Sequence, residues 1–393
     1  MSEHAPLAPS FAPVWGHCSG AVMAAMRHPN VETQENRTGT AAHWVVSEVL
    51  LTFKGQRDGG KLLAGDYVGD TAPNDVVIDD AMAEGAQVMI DEVLQVVQKH
   101  GAMQSLLVEF RVHAPHIHEQ NWGTLDVSLY LPDRKVLFLW DYKHGHRENS
   151  AEGNLQLINY AEGLRVTYQI DGVLDQQLTV VMRIVQPFCY RANGPVDEWV
   201  CKLADLRGYA NQLHAKANEA FTNPTLTSGK HCRDCPAVGR CAASRKAAYN
   251  LIDVANRPYG MDDMTAAQLA TERLILLDGL AAAKKRLEAI EANITYRLEN
   301  GEPDTGLTLE ATYGRLAFTI PDKQAAALAQ QFGFSIEKYA IKTPTQAKQA
   351  APKGVKDQYA AAIKNFTKRP PTGFKLVPAQ DSRTARAFKP QRT

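Results

Sequence analysis

The alternation of apolar and polar positions is sharpest in residues 122–160, WGTLDVSLYLPDRKVLFLWDYKHGHRENSAEGNLQLINY. Leu125–Leu131 and Val136–Asp141 are two short runs rich in β-branched and large apolar residues, split by Pro132-Asp133-Arg134. That pattern predicts a β-hairpin, and a helix over Ala151–Leu164 follows it. Ser105–Ala114 predicts another strand, and the apolar run Gln177–Gln186 a buried one. Helical spacing marks residues 36–53, where Gly39 precedes a helix that turns Ala42, Val45, Val46, Val49 and Leu50 inward. It also marks Asp80–His100, striped by Met82, Ala86, Met89, Ile90, Val93 and Val97, and Val196–Ala220, with Trp199, Leu203, Leu206, Tyr209 and Leu213 inward. Ser10–Met26 places Trp15, Cys18, Val22 and Met26 on one stripe, while residues 1–9 read as disordered and 55–75 as a loop.

Further along, Met261–Asn300 predicts one long helix, with Leu269, Leu276, Leu280, Ala283, Leu287, Ile290, Ile294 and Leu298 at steps of three, four and seven residues. Gly301-Glu302-Pro303 stops it. Such a helix packs in an antiparallel pair, on the body of the protein, or in a dimer coiled coil. Leu307–Ile320 then predicts two short strands around Tyr313-Gly314, and Lys323–Gly333 and Thr345–Thr367 predict helices. The expectation is an α/β fold, a mixed central sheet flanked by helices, with a helical C-terminal extension. A boundary near residue 255 divides it into regions 1–255 and 256–393.

Composition changes this picture little. The 393 residues are 45% hydrophobic and 22% charged, as in ordinary soluble domains. No apolar run reaches the roughly 18 residues of a membrane span, and the N-terminus lacks the features of a secretory signal. A cytoplasmic protein is expected. The formal net charge is zero but unevenly placed: residues 342–393 carry 12 Lys/Arg against 2 Asp/Glu, so the rest carries −10. A basic tail on an acidic body points to a polyanionic partner.

The candidate chemistry lies in the hairpin. Asp126 heads its first strand, Asp141 ends the second, and Lys143 follows on the same face by alternation. Two carboxylates brought together repel, so such a site calls for a cation. Mg²⁺ and Mn²⁺ are bound by one or two carboxylates with water and substrate phosphate, and a lysine beside them can steady an attacking water. Gln156 and Tyr160 share one face of the following helix, where an amide and a phenol can meet a phosphate and a base.

Asp126, Asp141-x-Lys143 and Gln156-x3-Tyr160 resemble the core of the PD-(D/E)XK nucleases, in the RecB-like branch. The fuller string GTLD…DYKHG…SAEGNLQLINY is similar to a phage-encoded family of RecB-like proteins of largely unassigned function. The resemblance implies a restriction-endonuclease-like core and a Mg²⁺- or Mn²⁺-dependent deoxyribonuclease, an exonuclease working in phage recombination or DNA end processing beside a single-strand annealing protein. It implies His43 of Gly39-x3-His43 as a further metal ligand, Glu109 as an accessory acid on the strand entering the site, and the Tyr142 carbonyl as an added ligand. The alternative is a catalytically silent nuclease fold that binds nucleic acid or a partner protein. His113, His116 and His118 read as a loop near the substrate groove.

Cys232, Cys235 and Cys241 have the spacing C-x2-C-x5-C, which in a cytoplasmic chain indicates a metal rather than disulfides. The resemblance supplies a fourth thiol upstream, Cys18, and a 4Fe–4S cluster held by all four. The position before Trp15 is Val14, where the family carries a basic residue, so His231 and His17 stand as substitutes for Cys18. Spacing alone admits zinc equally well. Cys189 and Cys201 read as ordinary small apolar residues.

Overall fold

A computed structural model describes residues 5–28, 33–255, 264–301, 306–313, 317–336, 343–352, 354–368 and 371–378. The chain divides into two compact units, Met1–Leu287 and Glu288–Thr393. The first is built on a five-stranded mixed sheet in the order β1-β2-β3-β4-β5: Leu106–His113, Trp122–Leu131, Val136–Tyr142, Thr179–Val185 and Val196–Lys202. The pairings are antiparallel except β3 with β4, which run parallel. The parallel pair requires a crossover, and helices α5 (Leu155–Thr167) and α6 (Gly172–Gln177) provide it.

Helices cover both sheet faces. Helix α3 (Gln34–Phe53) and α4 (Asp80–His100) bury Val45, Leu50, Met89 and Ile90 against Val127, Leu129, Trp140 and Tyr142. On the other face α5 and α7 (Arg207–Thr222), with the N-terminal helices α1 (Ala12–Trp15) and α2 (Gly20–Arg27), set Trp15, Ile158, Leu164 and Leu213 against Leu125, Leu137, Leu139 and Met182. The mixed α/β architecture and the stripes of α3 and α4 match the sequence pattern.

Several elements depart from it. Val196–Ala220 is not one helix: its first seven residues are the edge strand β5, and the helix begins at Arg207. The spacing of Trp199, Leu203 and Leu206 imitates a helix because it joins a strand residue to the short turn Leu203–Leu206. Residues 5–9 are ordered. Leu7 is fully buried, its carbonyl accepts from Asn121 Nδ2 (2.9 Å), and the Ala8 carbonyl accepts from Trp15 Nε1 (3.0 Å). Met26 leaves its expected stripe and is 60% exposed, because the helix is interrupted between Trp15 and Gly20 and the stripe loses phase. Helix α3 starts before Gly39, capped by the Thr33 hydroxyl accepting from Asn36 N (3.2 Å), so His43 sits in its third turn and not its first.

Helix α8 is Ala242–Ala255 and α9 is Ala266–Glu299, and among the described residues none in α9 is buried. In the second unit β6 (Leu307–Tyr313) pairs with β9 (Pro371–Pro378), and β7 (Ala317–Phe318) pairs with β8 (Thr367–Lys368). Helix α10 (Asp322–Gln331) packs with α11 (Pro344–Ala350) and α12 (Lys356–Ala362) around Tyr359, onto which Phe332 and Phe334 set their rings edge to face. The single helix expected over Thr345–Thr367 is thus interrupted after Ala350, at Pro352. The expected stop at Glu302-Pro303, the turn at Gly314 and the tail beyond Pro378 lie outside the described residues.

Candidate active site

The first unit carries its polar cluster where the sheet forks. Strand β2 pairs with β3 from Leu131↔Val136 to Val127↔Trp140. One step further the ladder would set Asp126 opposite Asp141. Instead β2 leaves β3 and continues with β1 alone, from Leu125↔Phe110 to Trp122↔His113. The Asp126 side chain fills the gap, its Oδ2 accepting from the Tyr142 backbone N–H (2.7 Å). The freed donor is thereby satisfied, as a buried backbone group requires.

Both strands of the arm change face at this fork. Val127 belongs to the layer under α3 and α4, whereas Leu125, on the same side by simple alternation, belongs to the layer under α5. Val108 and Phe110 of β1 split in the same way. Glu109, between them, has φ +47°, a left-handed conformation that a non-glycine residue adopts at a cost on the order of 1–2 kcal/mol. The distortion turns the Glu109 carboxylate toward Asp126 and His43. Ligand atoms of His43, Glu109 and Asp126 all lie within 4.8 Å of one another. His43 Nδ1 is 3.4 Å from Asp126 Oδ2. Burial and the Asp126 carboxylate push the Glu109 carboxyl up to about 8.

Asp141 and Lys143 form the second half of the site. Lys143 Nζ lies 2.9 Å from Asp141 Oδ2 and donates to Gln156 Oε1 (3.1 Å), while Gln156 Nε2 donates to Asp141 Oδ1 (2.7 Å). The Lys143 backbone N–H donates to the Val185 carbonyl (2.9 Å), which prolongs the β3–β4 ladder and fixes the lysine at the carboxyl end of a parallel strand. Such ends are where open α/β sheets bind ligands. Asp141 is 2% exposed. Burial pushes its carboxyl up, and Lys143 pulls it back. Burial alone would lower Lys143, but Asp141 and Asp126 hold its ammonium above the ordinary lysine range.

Helix α5 supplies the remaining residues. Asn154 caps it, its Oδ1 accepting from Gln156 N (3.0 Å) and Leu157 N (3.2 Å), so the first turn holds Gln156 in place. One turn on, the Tyr160 hydroxyl donates to the Thr124 carbonyl (2.7 Å) in the arm of β2. Gln156 and Tyr160 are buried and hold the site's own groups. The Tyr142 ring packs edge-on against His43 at 5.2 Å, and its hydroxyl pairs with His144 Nδ1 (3.0 Å).

An open cleft of about 510 Å³ gives access to His43, Glu109 and Asp126. Thr40, Trp44, Ser47, Pro73 and Asn74 line the rest of it, and the sequence pattern assigned none of them. Asn74 is pinned over α3 by Arg37, each side chain donating to the other's carbonyl at 2.7 Å. The only advance signal for it is the Pro-Asn-Asp turn composition at 73–75. The three histidines take structural partners: His113 lies in β1 against Trp122, His116 pairs with Glu162 (2.8 Å), and His118 stacks on Phe221 at 4.8 Å.

The cysteines gather around the N-terminal helices and the segment after α7, where Asp234, between Cys232 and Cys235, pairs with Arg147 (2.6 Å), four residues past Lys143. Cys18 and Cys232 are buried, and Cys235 packs against Cys18. The Cys18 Sγ accepts from the Thr227 N–H (3.4 Å), and Ser19 and Gly20 are tied to Thr225. Burial would raise the Cys18 thiol, but hydrogen bonds with His231 and Thr227 bring it down to about 7. His231 is raised to about 10 by hydrogen bonds to Cys18 and Cys232. Burial and the neighbouring Cys232, Cys18 and Cys241 push Cys235 up to about 11, against a hydrogen bond with the Ala237 backbone. The donor set suits a thiophilic metal group: several soft ligands held close, one with thiolate character. Among the described residues no three of these thiols gather within 4.8 Å, whereas one tetrahedral zinc at about 2.3 Å per sulfur draws its ligands closer than that.

No helix among the described residues is long and apolar enough to cross a membrane. The chain belongs to the family described as "Protein of unknown function (DUF2800)", whose model matches residues 4–384.

Proposed function

We propose that this DUF2800 member is a divalent-metal-dependent nuclease of the PD-(D/E)XK, RecB-like kind, an exonuclease hydrolysing phosphodiester bonds in DNA. One observation carries the proposal. His43, Glu109 and Asp126 converge within 4.8 Å beside a lysine already paired with a third acid, Asp141, at the forked end of the sheet. A merely structural ion pair needs one acid and one base. It does not need two further acids and a histidine opening on a cleft.

In this reading Asp126, Glu109 and His43 hold Mg²⁺ or Mn²⁺, with Asp141 and the Tyr142 carbonyl beside them. Bound there, such an ion would supply polarisation of a phosphoryl oxygen and a lowered pKa for the attacking water. Lys143 orients that water and places positive charge where the attacked phosphate gathers negative charge. Gln156 keeps Lys143 and Asp141 in register by bonding both. Tyr160 holds the β2 arm, and with it Asp126, through the Thr124 carbonyl.

Cys18, Cys232, Cys235 and Cys241 hold a 4Fe–4S cluster in this reading, or zinc in its place, joining the N-terminal helices to the segment after α7. The setting, a phage protein in the bacterial cytoplasm acting beside a single-strand annealing protein, follows from the resemblance of the motif alone.

The test is digestion of end-labelled linear DNA with Mn²⁺ by wild type and Asp141→Ala. Wild type should release labelled products and the variant should lose this by about a hundredfold or more. Equal degradation by both, or none in any metal, would leave a nuclease fold that binds without cutting.

A further inference from the structure

Beyond Glu109 and Asp126 the forked arm continues as a two-stranded ribbon, Phe110–His113 against Trp122–Leu125. One of its faces is closed. Val112 and Leu125 are buried, a Cβ on Gly123 would meet Pro9 Cδ at 2.7 Å, and one on Gly163 of α5 would meet Val112 Cβ at 2.9 Å. The other face is open. Arg111, His113 and Thr124 are exposed and Trp122 is half-buried. On that face the Arg111 guanidinium lies 3.7 Å from the Trp122 ring centroid, and the His113 ring stacks near the same indole at 6.3 Å. Among the described residues no carboxylate forms an ion pair with Arg111.

We propose that this open face is the approach along which one DNA strand reaches the metal site, with Arg111 taking a backbone phosphate next to the scissile one. The proposal rests on the nuclease reading above. A guanidinium held over an indole face can still offer its N–H edge, and its planar fork matches two phosphate oxygens. Stacking also fixes the side chain before any ligand arrives, which removes part of the ordering cost of binding. Position supplies the rest. Arg111 is two residues from Glu109 on the same face, roughly 7 Å along a strand, on the order of one nucleotide step. Glu109 and Asp126 repel phosphate, so a strand led to them needs a fixed cation close by, and Arg111 is the arginine the ribbon places there. A ribbon two residues wide suits one strand rather than the breadth of a duplex. The bland alternative is that Arg111 only covers Trp122 and keeps the edge strand soluble. In that case its loss would leave DNA binding untouched.

The experiment is fluorescence anisotropy with a fluorescein-labelled single-stranded oligothymidylate, and with a labelled duplex, in Ca²⁺ across a salt series. Wild type, Arg111→Ala, Arg111→Lys and Trp122→Phe are compared, and Mn²⁺ binding to each is followed by calorimetry. Arg111→Ala should weaken single-strand binding about tenfold and lower the salt slope by about one, while binding Mn²⁺ as wild type does. Arg111→Lys should recover the salt slope but not the full affinity, because the charge returns without the fork. Should Arg111→Ala fail to fold, Arg111→Lys and Trp122→Phe carry the comparison. The proposal is overturned if the arginine variants bind within about twofold of wild type at an unchanged slope, or if wild type binds duplex in preference to the single strand. If wild type cleaves DNA and only these comparisons fail, the nuclease reading survives. If wild type binds neither DNA nor Mn²⁺, both fall together.

Discussion

Glu109 and Asp126 face each other across the β1–β2 ladder at the step where both strands change face. Two acids in register repel, and the +47° φ of Glu109 adds a backbone cost. Protonation of Glu109 removes the repulsion when no ion is bound, and a bridging cation would replace that proton and offset the backbone cost.

A measurable consequence is proton release. With its carboxyl raised to about 8, Glu109 keeps its proton at neutral pH until an ion displaces it. Mn²⁺ affinity should rise with pH up to about 8 and level off above it. Titration calorimetry at neutral pH in buffers of different ionisation enthalpy should show about one proton released per ion. Glu109→Gln should bind more weakly and release none from this position. The folding term has the opposite sense. A carboxyl raised in the folded state binds its proton more tightly there than in the unfolded chain, so its contribution to stability falls as pH climbs from the ordinary glutamate range toward 8. Glu109→Gln should flatten that slope in a series of urea melts.

Lys143 should matter to stability as well as to turnover. Replacing it with Met leaves the buried Asp141 with Gln156 as its one remaining side-chain partner, where a full uncompensated charge would cost about 3–5 kcal/mol. Lys143 is 29% exposed and Asp141 already leans toward its neutral form, so the loss should fall below that range, at about 1–3 kcal/mol. The double variant Lys143→Met with Asp141→Asn should recover part of it while remaining inactive. Additive losses in that cycle would mean that the two side chains are not coupled.

Tyr160→Phe isolates the hold on the arm. It removes one buried hydrogen bond to the Thr124 carbonyl, worth about 1 kcal/mol. The global melt should move little. Amide exchange in residues 122–126 should speed up, and DNA cleavage should fall although Tyr160 does not open on the cleft. Unchanged exchange there would mean that packing alone secures the ribbon.

How far the sequence foretells this structure depends on how far each element depends on distant neighbours. The stripe of Met82, Met89, Ile90 and Val97 reads correctly because one face of α4 is buried along its whole length. Asp126, Asp141 and Lys143 stand out as candidates because charged groups within or just past apolar strands conflict with their surroundings, and the structure brings them together at the fork. Strand β5 does not read, because its alternation runs only between half-buried and exposed positions, one outward position is the apolar Val200, and Trp199 falls in helical step with Leu203. The order of residues 5–9 comes from partners as remote as Asn121. The left-handed turn at Glu109 has no local signature, since nothing in SLLVEFRVHA announces a change of face. Arg111 and Trp122 escape notice for the same reason: their contact exists only once the strands are paired in register.

The cysteine group should be detectable without reference to DNA. A cluster held by Cys18 together with Cys232, Cys235 and Cys241 closes a loop of over two hundred residues, for which chain-entropy arguments give several kcal/mol at most. Protein prepared without oxygen should be brown, with broad visible absorption that is lost on iron chelation. Cys18→Ser should lower both the iron content and the melting temperature, because the link from the N-terminal helices to the segment after α7 would lose a ligand and fall back on packing and hydrogen bonds such as those of Ser19 and Gly20 to Thr225. Cys189→Ser, at a buried thiol outside the group, should keep full colour. A colourless protein carrying one zinc per chain would replace iron with zinc at the same four residues. Wild-type metal content in Cys18→Ser would instead move the fourth ligand to His231, whose ring bonds the Thr227 carbonyl (3.1 Å) and lies 5.7 Å from the His17 ring.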